Sequence, residues 1–395
     1  MKNSISTLSI ATLVLFAGVA HAQSSVTLYG IADAGLVYNS NVKGGRQIAL
    51  VGGNEGANRW GMIGSEDLGG GLKAIFNLEA GFNLANGTIG QNGTFWGRAA
   101  TVGLSSADYG TVTLGRQNSD SWAAVGYLEA GNGWAASGAE YGAHPGDVDN
   151  LDNSNRLNNS ILYRSKSYNG LTFGGAYSFG GKAGEFSQNQ IWDLSAGYAN
   201  GPVKLGVGYI LAKDPNFSFF GNKANDSTTG INISSPVTAG YASAGSQQII
   251  AAGGSYAFGP ATVGVVYSNT QFQELGTVSV AGLNATEAAY RGTATFNTGE
   301  LNFKYQFTPA LLLGVSYSYT RNGGASNEGG ARYQQVDLGA VYSFSKMTSV
   351  YAIAVHQAAS GTDSTGERAV AAIAGTSGSS TNAETLVTVG LTHKF

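Results

Sequence analysis

The feature that most constrains this chain is the rhythm of its connections. Short turns (EDLGGG, SADYG, SYNG, ANGP, FGP, FTPA, SKMT) alternate with long segments such as 214–246 and 361–382. A transmembrane β-barrel has short turns at one rim and long loops at the other, whereas a sandwich has no need of strict alternation. The intervening segments carry the period of two that strands require. In GLKAIFNLEAGF, Leu72, Ala74, Phe76, Leu78, Ala80 and Phe82 oppose Lys73, Asn77 and Glu79. Likewise Leu301, Phe303, Tyr305 and Phe307 oppose Asn302, Lys304 and Gln306. A mid-strand charge must face water, which a sandwich's outer face also offers, so the connections decide for the barrel. Pairing them gives about sixteen strands, an even number that leaves an aqueous channel. The first six are expected at 26–38, 58–66, 71–83, 94–105, 110–117 and 158–165, and the last at 383–395.

Composition agrees. Charged residues make up 11% of the chain, against roughly 25% in an average soluble domain. A mean hydropathy of -0.04 without a second long apolar run excludes a helical membrane protein. The absence of cysteine removes disulfides and thiolate metal sites, and a net charge of -3 gives no case for nucleic acid. Pairs such as Tyr256/Phe258, Tyr305/Phe307 and Tyr342/Phe344 just before short turns fit an interfacial aromatic girdle. At the start, Lys2, an apolar run and Ala20-His21-Ala22 read as a signal peptide over 1–22, leaving 23–395 as one barrel domain.

One stretch breaks the pattern. Residues 118–157 show no sustained period, and an unpatterned connection longer than about 15 residues is usually functional or disordered. Its aromatics Trp122, Tyr127, Trp134 and Tyr141 argue for order. In a barrel such a segment folds inward, where it sets the width and charge of the channel.

Several motifs together resemble the general porins of Gram-negative outer membranes, specifically the beta-proteobacterial group. They are SSVTLYGIADAG, NRWGMIGSEDLGGGLKAIFNLEAGF, GRAATVGLSSADYGTVTLGRQ, NRLNNSILYRS and LVTVGLTHKF, spread over the whole chain. The resemblance implies a 16-stranded antiparallel transmembrane β-barrel in the cell outer membrane, a homotrimer, an inward constriction loop and passive diffusion of ions and small hydrophilic solutes. It also implies contact with outer-membrane lipid and lipopolysaccharide, and a last strand ending at Phe395 that the barrel assembly machinery recognises. On one wall of the constriction it places Arg59, Arg98 and Arg156. Facing them it places loop acids from among Glu129, Asp120 and Glu140, with Glu129 first because LEAGNGW stands where enteric relatives have a PEFGG turn. Arg116 is expected in a structural role near a subunit contact, together with the second loop at 83–94. Guanidinium stays charged at any relevant pH. With a Debye length of about 8 Å, ions cannot pass such an opening without feeling its walls. The arginines favour anions.

Other functions find less support. A lipid-cleaving enzyme needs an outward Ser-His pair, and the alternation of the 348–358 strand turns His356 to the lumen. No cofactor motif is present, and no metal is expected: the run DVDNLDNSN lacks the glycine and closing glutamate of a calcium loop and reads as a solvated acidic segment. The alternatives are a substrate-specific channel with Trp122, Tyr127 and Trp134 as a binding track, and an adhesin or receptor acting through its outer loops.

Overall fold

The computed structural model describes residues 24–326 and 329–395. The expected signal peptide lies outside the described residues. No helix among the described residues is long and apolar enough to cross a membrane; the crossing is made by strands. In chain order these are β1 (Ser25–Val42), β2 (Gly45–Gly52), β3 (Arg59–Gly69), β4 (Leu72–Gly81), β5 (Ala99–Ser106), β6 (Gly110–Gln117), β7 (Leu157–Arg164) and β8 (Leu171–Ser178). They continue as β9 (Ile191–Asn200), β10 (Val203–Lys213), β11 (Ser246–Phe258), β12 (Ala261–Leu275) and β13 (Gly292–Gln306). The last are β14 (Leu311–Asn322), β15 (Ala331–Ser343), β16 (Thr348–Gly361) and β17 (Ala383–Lys394). Neighbours pair antiparallel throughout, and β17 returns to β1, with Ile31 opposite Lys394 and Asn39 opposite Leu386. Beyond that ladder, Phe395 N donates to Gly30 O (3.1 Å) and Gly30 N to Phe395 O (2.9 Å), so the terminal residue completes the seam.

The 17 segments form sixteen barrel strands, because β2 and β3 are two halves of one. The upper part of β1 pairs with β2 and its lower part with β3. Between the halves, residues 53–58 leave the wall and fold inward around the buried carboxylate of Asp33. That carboxylate accepts from Asn54 N (2.6 Å), Gly56 N (3.3 Å) and Tyr351 Oη (3.0 Å), and also from Thr392 Oγ1. The segment 45–52 was not expected as a strand. The fourth strand begins at Ala99 rather than 94, and Phe95 and Trp96 instead pack with Trp60 outside the ladder.

The alternation resolves into two faces. Val26, Leu28, Leu36, Val102, Leu205, Leu301, Leu338 and Val389 stand exposed on the outer surface, the lipid side. The other phase points into the barrel, and along β9 to β16 it is buried. The outer loops fill the mouth on that side: Ile233, Val237, Tyr241, Tyr290, Ala369 and Ala372 pack with Phe272, Phe296 and Tyr333 in one apolar cluster. Asn322 Nδ2 donates to Tyr241 Oη (2.7 Å) and Ser364 Oγ to Pro236 O (2.8 Å), tying two loops to each other and to the end of β14.

That interior packing corrects one expectation. His356 points outward, its Nδ1 2.8 Å from Thr385 Oγ1, while Tyr351, Ile353 and Val355 point inward against Ala136, Tyr141 and Ile373. Bulky apolar residues on β16 face the lumen because the lumen there is filled with protein instead of water.

Candidate functional site

The segment between β6 and β7 lies inside the barrel, held by inward side chains of the wall and by the backbone of the 53–58 excursion. It opens with α1 (Asp120–Val125), whose N-cap is Ser119, accepting from Trp122 N at 3.2 Å. Asp193 on β9 accepts from Asp120 N, from Ser121 Oγ and from Ser121 N (3.1 Å), so a buried carboxylate satisfies the free N–H groups of the helix start. Gly206 on β10 lets α1 lie against the wall; a Cβ there would come within 2.1 Å of Ala124 O.

The chain then follows the wall. Asn302 Nδ2 donates to Leu128 O (2.8 Å) and Ala130 N to Glu300 Oε1 (2.9 Å), both on β13. Trp134 lies flat against Gly314 and Gly339 of β14 and β15. The tip crosses to the 53–58 excursion, where Ser137 Oγ and Gly138 N donate to Glu55 O (3.0 and 3.2 Å) and Ala139 N to Asn54 O (3.1 Å). On the way back, Gln335 Nε2 donates to Tyr141 O (3.3 Å) and Ala143 O (3.2 Å), and Gln247 Nε2 to Val148 O (3.3 Å). The loop therefore covers the wall from β9 to β16. A space of about 850 Å³ lies open between the loop and the wall of β1 to β7.

Arg59, Arg98 and Arg156 all line this space, as sequence reasoning placed them together, and Arg164 joins them. Their partners differ from those expected. Glu129, first choice among the facing acids, is buried behind the loop at 1% exposure, accepting from His144 N (3.0 Å) with its carboxylate beside His144. Asp120 is buried under α1, pairing with Arg164 and accepting from Ser195 Oγ (2.6 Å), rather than opposing the trio. Glu140 does line the space, its Oε2 accepting from Ser154 Oγ (2.9 Å). The acid that sequence reasoning missed is Glu79 on β4. It accepts from Arg98 Nε at 2.6 Å and from Tyr29 Oη at 2.8 Å, and lies 4.0 Å from Arg59. Its position in the polar phase of GLKAIFNLEAGF, with Lys73 and Asn77, was the available signal.

Arg116 stays out of the lumen lining. It donates to Gly97 O (2.9 Å), Asn158 Oδ1 (2.7 Å) and Asn222 O (3.3 Å), joining three chain segments. Trp122 and Tyr127 pack with tilted rings 5.0 Å apart on the lumen side, but Trp134 is buried at 4%, which breaks the three-aromatic track.

The run 147–155 is likewise buried instead of solvated. Asp147 accepts from Asp152 N (3.0 Å), Ser154 N (2.9 Å) and Ser154 Oγ (2.6 Å), while Asn150 and Asn155 bond reciprocally. Burial, then the carboxylates Asp147, Glu140 and Glu129, pushes the Asp152 carboxyl well above the ordinary range. Burial, with Arg98 and Arg116 nearby, pulls Arg156 down to about 9, still a cation at neutral pH. Glu129 is raised by burial. At His144 burial acts downward, but Glu129 and Asp149 outweigh it and raise the imidazole well above its usual value.

A closed barrel, a loop across its lumen and a row of arginines facing an open space set the terms for comparison. Residues 9–362 match the model of the Gram-negative porin family. The chain belongs to that family. The porin is 31% identical to an outer membrane porin protein of Bordetella pertussis, covering 89% of this chain and 93% of the relative. It is 28% identical to outer membrane porin protein 32 of Delftia acidovorans, covering 89% and 88%. Its fold matches an anion-selective porin from Comamonas acidovorans with a TM-score of 0.71 at 22% identity, over 94% of this chain and 100% of that one. A trimer form of an outer membrane protein of Vibrio cholerae matches with a TM-score of 0.61 at 15% identity, over 94% and 99%. The porin is an integral protein of the outer membrane whose barrel forms a water-filled channel for passive diffusion.

Proposed function

We propose that this porin passes small hydrophilic solutes with a preference for anions, selected at the narrowing between the inward loop and the β1 to β7 wall. The observation that carries this is the charge lining that space. Four guanidiniums, of Arg59, Arg98, Arg156 and Arg164, line it against three carboxyls, of Glu79, Glu140 and Asp152. Burial disfavours the charged form of the Asp152 carboxyl, which adds to the positive excess. The constriction is therefore net positive although the whole chain carries -3, and selectivity follows the constriction. The matched Comamonas porin is described as anion-selective, which agrees with this reading.

The same reading includes removal of residues 1–22 as a signal peptide, recognition of the Phe395 strand by the assembly machinery, contact with lipopolysaccharide, and a homotrimer like the Vibrio form. It includes no enzymatic activity, since the family and the matched relatives are channels. The test is single-channel current in a planar bilayer under a KCl gradient. Current rising in steps of three with a reversal potential of the anion-selective sign is expected; single steps, or a cation-selective sign, would overturn the corresponding part.

Two substitutions separate the acids. Glu140→Gln removes a charge exposed to the open space and should move the reversal potential further toward anions. Asp152→Asn should move it less than Glu140→Gln does, because burial already disfavours the ionised Asp152 carboxyl. An equal shift from both would show Asp152 to be ionised.

A further inference from the structure

We propose that Glu129, His144 and Glu300 bind one divalent first-row transition ion of the zinc class, clasping the constriction loop to strand β13. The three side chains are buried, at 1%, 0% and 4% exposure, and offer one donor atom each within 4.8 Å of one another. Two come from the loop and one from the wall, so an ion here would add to the bonds that Glu300 and Asn302 of β13 make to the loop backbone.

The donor chemistry is arranged for a cation. His144 Nδ1 lies 2.7 Å from Asp149 Oδ2, which only accepts, so Nδ1 carries the proton and the Nε2 lone pair is left for a ligand. Asp149 is itself held by Ser268 Oγ. A carboxylate on the far nitrogen of a histidine is the usual support of a metal-ligating imidazole. His144 Nε2 stands 3.3 Å from Glu300 Oε2 without hydrogen-bond alignment, and Glu129 Oε2 also meets no donor among the described residues. Bonds of about 2.1 Å in a tetrahedral shell put neighbouring donor atoms about 3.4 Å apart, close to that separation. Glu300 Oε1 is fixed by Ala130 N (2.9 Å) and Asn302 Nδ2 (2.6 Å), so its other oxygen is oriented before any ion arrives.

Charge points the same way. Glu129, Asp149 and Glu300 surround one imidazole, and among the described residues their ion pairs are all with His144 and none with a lysine or arginine. Asp337 lies nearby on β15, accepting from Ser316 Oγ (2.5 Å) and Gln335 Nε2 (3.1 Å). Buried carboxylates in excess of cations are costly, and a dication offsets the excess. One imidazole with two carboxylates suits zinc or its first-row neighbours better than calcium, which takes an all-oxygen shell.

The test folds the full chain in detergent with and without micromolar ZnCl2, removes loose metal with a chelator, and measures zinc per chain by mass spectrometry alongside thermal unfolding of the barrel. Loading during folding matters because the site is closed to solvent. About one zinc per chain and a higher unfolding midpoint are expected for the wild type, with both lost in His144→Ala and Glu300→Gln and kept in Glu66→Gln on the exposed end of β3. Should the two ligand variants fail to fold, Asp149→Asn, which keeps all three ligands, should bind about 10- to 100-fold more weakly. No zinc in the folded wild type, retention by His144→Ala, or equal uptake of calcium would each overturn the proposal. The first result would instead make His144 an imidazolium held between carboxylates.

Discussion

In Arg98→Ser, the channel should lose most of its anion preference while still forming trimeric conductance steps. Arg98 faces the open space and gives Glu79 its closest ion pair, at 2.6 Å. Removing it takes one positive charge from the narrowing and leaves Glu79 with Arg59 at 4.0 Å and the hydroxyl of Tyr29. A unit charge about 5 Å from a passing ion in water is worth about 0.8 kcal/mol, reduced to about 0.5 kcal/mol by screening at 0.1 M salt. That is roughly a two-fold loss of chloride and a two-fold gain of potassium, so the permeability ratio should change about five-fold. The change should shrink as salt is raised. An unaltered reversal potential at 0.1 M KCl would mean that ions do not pass the arginine wall, and the proposed constriction would be wrong. Glu79→Gln gives the opposite sign, because it frees the charge of Arg98 and Arg59 together.

How far the sequence led to this site depends on the range of the interactions involved. The period of two in GLKAIFNLEAGF and the rhythm of turns are local, and both carry directly into β4 and the closed barrel. The motifs around Arg59, Arg98 and Arg156 brought together residues that do line one space. Which loop acid faces them was not legible, because that depends on the path of the loop. Glu129 turns to the wall through contacts with Glu300 and His144, whose numbers in the chain give no hint of proximity. The phase of β16 was misread for a related reason. Reversing a strand's phase exchanges every side chain between its faces, and apolar Tyr351, Ile353 and Val355 suggest lipid only if the lumen holds water. There the lumen holds Tyr141 and Ile373. The missing strand 45–52 follows from Asp33, whose hold on residues 53–58 divides one strand into two.

Gly339→Ala should detach the middle of the constriction loop, and Trp134→Ala should largely cancel that effect. A Cβ on Gly339 would lie 2.6 Å from Trp134 Cε3, and one on Gly314 2.5 Å from Cδ2, so the indole occupies the room two absent side chains leave. Neither glycine has a positive φ, so the constraint is space and not backbone strain. Overpacking of this kind costs about 1 to 3 kcal/mol, while truncating a buried Trp costs about 3 to 5 kcal/mol. Each single variant should lower the thermal midpoint of the folded barrel. Because a Cβ would enter the cavity left by the indole, the double variant should be more stable than additivity predicts, with a coupling of about 1 kcal/mol or more. Conductance supplies a second reading. With Trp134 displaced toward the open space, Gly339→Ala should conduct less than wild type, whereas Trp134→Ala with or without Gly339→Ala should not. Strict additivity in stability, together with unchanged conductance in Gly339→Ala, would show that the loop is held by its ends at Asp193 and the 53–58 excursion, and that the Trp134 contact does not set the width of the channel.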